Sequence, residues 1–155
     1  MASPSPSASA FVHADTVYEN ATLGYTFSYP ESWVIRANGS LSQLLSPSRQ
    51  ALVSFGRGPD GSLSKASDAY YSSLRQRYTD FDPSFTQVEI ISGAVSRVMV
   101  GRATNEDGKR LRFEGILIHG KDENFVIASF AAVDISSSVQ AALDEIVGSF
   151  ELPPS

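Results

Sequence analysis

Tyr25, Phe27 and Tyr29 alternate with Thr26 and Ser28, the period-2 pattern of a half-buried strand over 25–29. Pro30 ends it, because proline cannot donate to a ladder. A strand resumes over 33–37, Asn38-Gly39 carries the type I′ hairpin signal, and the chain returns over 41–45. Pro47, second in Ser46-Pro47-Ser48-Arg49, marks a turn, and 51–55 form the next short strand. After a glycine-rich loop at 56–61 the period changes. Leu63, Ala66, Tyr70, Leu74, Tyr78 and Phe81 recur every three or four residues, which predicts a helix over 64–78. Tyr70 and Tyr71 are neighbours on that helix, so one is expected in the core and the other in solvent.

Asp82-Pro83 is expected to end this segment. Three long strand stretches follow, at 86–104 (broken near Gly93), 109–119 and 124–133, with Asp107-Gly108 and 119–124 as hairpin connections. Read face by face, Val98, Val100, Leu111, Phe113 and Leu117 are assigned to one apolar face and Arg97, Arg112 and Glu114 to the other. A last helix opens with a capping box, Ser137 with Gln140, and turns Val139, Leu143, Ile146, Val147 and Phe150 inward before Pro153-Pro154. There is no internal repeat. The expected architecture is α+β, an antiparallel sheet with two main helices packed on it, forming one domain over 17–152 behind an N-terminal tether over 1–16.

Composition narrows the function. A chain of 155 residues, 42% hydrophobic, suits a single core. No apolar run approaches the roughly 18 residues that span a bilayer. A net charge of −5 and a pI near 4.9 argue against nucleic acid as a partner. The absence of cysteine excludes disulfides, thiol chemistry and cysteine-ligated metals. The opening MASPSPSASA has nothing to bury and is expected to be a solvated, semi-extended tether. It reads as the spacer of an exported bacterial lipoprotein, with the lipid anchor itself absent from this chain. Asn20-Ala21-Thr22 and Asn38-Gly39-Ser40 match the glycosylation pattern, but the pattern is short and the second is better explained as a turn.

Candidate chemistry is sparse. Gly56-Arg57-Gly58-Pro59-Asp60-Gly61 matches G-x-G-x-x-G, yet Pro59 removes an amide and Asp60 puts a carboxylate where phosphate charge would sit, so a turn is the better account. His13 with Asp15, and His119 with Asp122 and Glu123, are too few for a metal site. No serine stands in G-x-S-x-G. The acid pairs Asp80/Asp82, Glu106/Asp107, Asp122/Glu123 and Asp144/Glu145 read as solvated surface. Arg97, Arg102, Lys109, Arg110 and Arg112 gather on one hairpin, interleaved with Glu106, Asp107 and Glu114, and offer contact to an acidic partner or simple cross-strand pairing. No catalytic, cofactor-binding or metal residue is assigned, and no cofactor is expected.

Leu23-Gly24-Tyr25-Thr26-Phe27-Ser28-Tyr29-Pro30-Glu31-Ser32-Trp33 resembles the opening of PsbP-like domains of the Mog1/PsbP fold group, with Ser32 where glycine is usual. Leu143-Asp144-Glu145-Ile146-Val147-Gly148-Ser149-Phe150 is similar to that group's final helix and close. Trp33 is then an anchor under the corner at Pro30, core rather than ligand platform. The resemblance implies an antiparallel sheet, no enzymatic activity and no catalytic residue to carry over. Members include photosystem II extrinsic subunits or assembly factors, a nuclear-transport cofactor and many bacterial lipoproteins. The expectation is a monomeric, extracytoplasmic binding or accessory module, the soluble part of a lipid-anchored protein at the cell surface or in the periplasm. Its partner is expected to be another protein or an envelope component. Two alternatives stay open: a small-ligand carrier or weak enzyme using a cleft between the sheet and the first helix, and an accessory subunit of a photosynthetic or envelope membrane complex.

Overall fold

The computed structural model describes residues 16–154, with only the backbone described at 84–87. Residues 1–15, including most of the expected tether and the His13 and Asp15 pair, lie outside the described residues. The strands are β1 (Thr16–Glu19), β2 (Thr26–Tyr29), β3 (Val34–Asn38), β4 (Leu41–Leu45), β5 (Ala51–Arg57), β6 (Thr79–Ile91), β7 (Ala94–Thr104), β8 (Arg110–His119) and β9 (Asn124–Ala132). The helices are α1 (Leu63–Arg77) and α2 (Ser137–Gly148). Seven strands form one antiparallel sheet in the order β3-β4-β5-β9-β8-β7-β6, and β1 and β2 pair as a separate ribbon. The α+β expectation holds, with one helix on each face of the sheet.

The first face is covered by β2 and α2. Phe27 stacks on Phe55 with ring centroids 4.1 Å apart, Phe150 lies 5.9 Å from Phe55, and Tyr25 packs against all three. Trp33 is 5% exposed within the same cluster, so the corner after Pro30 is packing material. The Tyr25 hydroxyl lies 2.8 Å from the Ser40 carbonyl and from Ser42 Oγ and 3.1 Å from the Phe55 carbonyl, its one proton shared among these acceptors, tying the β3–β4 hairpin to the ribbon. Beside it, Asn20 is 1% exposed. Its Nδ2 donates to the Gly39 carbonyl and to Ser42 Oγ, while its Oδ1 accepts from the Thr22 and Leu23 amides. That asparagine is therefore structural despite its sequon, because every polar atom of its amide already has a partner.

The second face is covered by α1. Phe113, Phe81 and Phe130 interlock with Tyr70, Tyr71 and Tyr78, with Phe81 edge-on to Phe113 at 5.4 Å. Both Tyr70 and Tyr71 are half-buried, so the expected core-versus-solvent split between them fails. The reason is that Phe81 rises beside the helix and meets Tyr71 at 5.6 Å.

Four local expectations shift by a residue or more. The β3–β4 turn is centred on Gly39-Ser40, since Asn38 pairs with Leu41. Only Gly39 has positive φ there, which fits a II′-type turn and not I′. The N-cap of α2 is Ser136, whose Oγ accepts from the Val139 amide, so the capping box at Ser137 does not form. Asp82-Pro83 does not end the segment, because β6 starts at Thr79 and runs through it. Pro83 is tolerated because β6 is an edge strand with register shifts on both sides of that proline. Finally, β1 adds a strand where none was read, with Thr16 and Tyr18 half-buried and Val17 and Glu19 exposed.

Candidate binding groove

The β7–β8 register decides which side chains meet. Arg102 faces Arg112, Val100 faces Glu114, and Val98 faces Ile116. Directly paired residues of an antiparallel sheet share a face. Val98, Val100, Arg102, Arg112 and Glu114 therefore lie together on the α2 side, while Arg97, Met99, Leu111, Phe113 and Leu117 lie on the α1 side. The face assignment read from sequence is thus wrong for the two valines and for Arg97. Asn105 to Lys109 form the connection, with Lys109 N–H bonded to Asn105 Oδ1 and Asn105 N–H to the Lys109 carbonyl, and this sets the opposite parity. Arg110 pairs with Thr104 and joins the α2 side as well.

α2 leans on β2 and β5 and shares a buried cluster with Val98, Ile116 and Ile118, leaving open only the end of the β7–β8 face at Val100, Arg102, Arg112 and Glu114. The result is a groove of about 340 Å³ lined by Val100, Arg102, Arg112, Glu114, Leu143 and Val147, among others. A polar chain crosses its rim: Arg112 Nη2 donates to Gln140 Oε1, and Gln140 Nε2 donates to Asp144 Oδ1 at 2.9 Å. Glu114 sits at the inner end, where a second hollow bounded by Glu89, Ile91 and Phe150 adjoins. Burial, reinforced by the charges of Asp144 and Glu89, pushes the Glu114 carboxyl above the usual glutamate range. This arrangement can hold a ligand by charge and apolar contact. It presents no activated nucleophile beside a base.

The cleft expected between the sheet and the first helix also exists, lined by Ser67, Asp68, Tyr70, Tyr71, Arg97 and Met99. At about 200 Å³ it is smaller than the roughly 300 Å³ at which small-molecule sites usually begin. Burial raises the Tyr70 phenol at its edge well above the ordinary tyrosine value. The G-x-G-x-x-G loop is a structural seam. Asn124 Nδ2 donates to the carbonyls of Pro59 and Gly61, and the Gly58 amide donates to the Asn124 carbonyl. A Cβ at Gly58 would stand 2.9 Å from Leu117 Cδ1 and 3.1 Å from Val126 Cγ2, so a side chain there would push these neighbours out of their packing on the sheet. β5 pairs antiparallel with β4 and β9, unlike the parallel strands of a dinucleotide site. His119 Nδ1 lies 2.8 Å from Asn124 Oδ1, and Glu123 pairs with Arg57 at 3.1 Å. Among the described residues, no three acids, histidines or cysteines converge as metal ligands. Asp82 pairs directly with Arg102 across β6 and β7 and shares its face, Asp80 and Arg110 line the hollow beside them, and Glu106 and Asp107 lie in the hairpin turn.

Sequence reading found the basic hairpin but missed the convergence of Arg102, Arg112 and Glu114 under Gln140 and Asp144. The available signal was parity: 102, 110, 112 and 114 are all even, and a five-residue connection keeps even positions on one face.

An antiparallel sheet with a helix on each face, entered through an aromatic strand, a proline and a buried tryptophan, defines the Mog1/PsbP-like fold, and the chain has this fold. It is similar to cyanobacterial PsbP (CyanoP) of Synechocystis sp. PCC 6803, with TM-score 0.65 and 14% identity over 91% of this chain and 94% of that one. PA94 of Pseudomonas aeruginosa, a protein of unknown function, gives TM-score 0.63 at 14% identity over 92% and 99%. LpqN of Mycobacterium tuberculosis, involved in cell envelope biogenesis, gives 0.54 at 14% over 90% of each chain. No protein-family model matches the chain, and no curated protein matches it by sequence. The likeness is one of fold.

Proposed function

We propose that the protein is a non-enzymatic, extracytoplasmic accessory module that binds a protein or envelope component, and that it is the soluble part of a bacterial lipoprotein. The observation that carries this reading is the match in fold, across nine-tenths or more of both chains, to cyanobacterial PsbP and to LpqN. The Ser/Pro/Ala-rich stretch 1–10 supports it, since a solvated spacer lets a lipid-anchored domain stand clear of a membrane. The groove supports it too, because its charged groups are arranged to contact a ligand rather than to move a proton or form a covalent bond.

The test is to raise antibodies against the chain, fractionate native cells, and determine the N-terminus of the mature protein. Envelope recovery, an acylated N-terminal cysteine ahead of the Ser/Pro stretch, and co-purification with a membrane component are the expected results. Recovery from the cytosol as an unmodified free monomer would overturn the reading.

A further inference from the structure

We propose that the groove between α2 and the β7–β8 face binds a small organic monoanion, an aliphatic carboxylate, with Arg102 and Arg112 on the carboxylate and Val100, Leu143 and Val147 along the chain. This goes beyond the accessory role and stands or falls on the isolated chain.

Three observations carry it. Arg102 and Arg112 are direct cross-strand partners, and Arg110 follows on the same face. Like charges so placed repel; Asp82, directly across from Arg102 on β6, offsets part of that repulsion, and an anion between the two guanidiniums offsets more. Among the described residues Arg102 makes no hydrogen bond or ion pair, and Arg112 makes one, to a neutral amide. Most of their guanidinium donors therefore remain for a planar, two-oxygen acceptor. The adjoining wall is apolar, with Val100 and Val147 half-buried beside the buried Leu143, so an aliphatic body has surface to cover. At about 340 Å³ the groove lies at the small end of ligand sites.

The inner end selects for a single charge. Glu114 and Asp144 line the same groove, and a dianion would meet their field as well as the arginines.

The test uses the whole chain with sodium octanoate below its micellar concentration, followed by thermal unfolding and titration calorimetry. Octanoate is expected to raise the unfolding midpoint with concentration, by preferential binding to the folded state. Arg102→Ala/Arg112→Ala should weaken its binding about tenfold or more, because charge-assisted hydrogen bonds are lost. Arg36→Ala, at an exposed arginine on β3, should bind as the parent does. Both groove arginines are exposed, and calorimetry well below the midpoint reads the double variant even if it is somewhat less stable. Four results would overturn the proposal: no response of the parent, an undiminished response of the double variant, an equal loss in Arg36→Ala, or tighter binding of octan-1-ol or of dianionic octyl phosphate than of octanoate.

Discussion

The two faces of the sheet carry helices of similar length, each N-capped by a serine hydroxyl, and use them differently. Under α1, six aromatic rings close over β6, β8 and β9, and the cleft that remains is about 200 Å³. Under α2, the aromatic cluster is carried by the β2, β5 and β9 side, and the β7–β8 side keeps two arginines and a glutamate in a wider groove. Helix length and capping therefore do not decide whether a face is closed. Ring volume does: α1 and its C-cap bring Tyr70, Tyr71 and Tyr78, whereas α2 brings Ala142, Leu143, Ile146 and Val147. Smaller side chains on the helix leave space that the strand side chains line with charge.

The contrast predicts a graded set of effects. Phe113 is 2% exposed at the centre of the α1 face, and Phe113→Ala should cost about 3–5 kcal/mol in urea unfolding. A loss under about 1 kcal/mol would mean that face is loosely packed and the contrast is gone. Tyr25→Phe keeps the ring but removes the hydroxyl that faces the Ser40 and Phe55 carbonyls, which should cost about 1–3 kcal/mol by the same measurement. The Tyr25 phenol is pushed up to about 12, chiefly by burial. The folded state thus favours the protonated phenol, and that stabilisation is complete below the ordinary tyrosine range and lost as pH rises through about 12. Tyr25→Phe should accordingly lose less stability than the parent over that alkaline interval.

In the groove the effects are smaller and one has the opposite sign. Because the folded-state carboxyl of Glu114 titrates above its unfolded value, the folded chain holds that proton more tightly, and stability falls as pH rises through the interval between the two. Glu114→Gln should raise the thermal midpoint at neutral pH, with the gain disappearing in acid below the ordinary glutamate range. A lower midpoint at both pH values would instead give Glu114 a structural role. The smallest effect is expected for Arg112→Ala, within about 0.5 kcal/mol of the parent, since lost contact with Gln140 is offset by relief of repulsion from Arg102.

The elements were largely legible because they depend on local rules. The alternation from Tyr25 to Tyr29, the stop at Pro30 and the three-to-four spacing from Leu63 to Leu74 each mark an element, and each element is present. What was not legible depends on pairing. The side of the sheet taken by Val98, Val100 and Arg97 follows from how Asn105 folds its connection, and a one-residue change of register exchanges the faces. The passage of β6 through Pro83 depends on that strand lying at the edge, which local sequence does not encode. The groove was missed for the first of these reasons: Arg102, Arg112 and Glu114 form a site only in the observed register.

The most direct measurement is a two-dimensional amide NMR titration of the chain with octanoate. Shifts concentrated at Arg102, Arg112, Gln140 and Leu143, with Tyr70, Met99 and Leu117 unmoved, are the predicted result, because binding would be confined to the α2 face. Shifts concentrated under α1, or spread evenly over both faces, would contradict it.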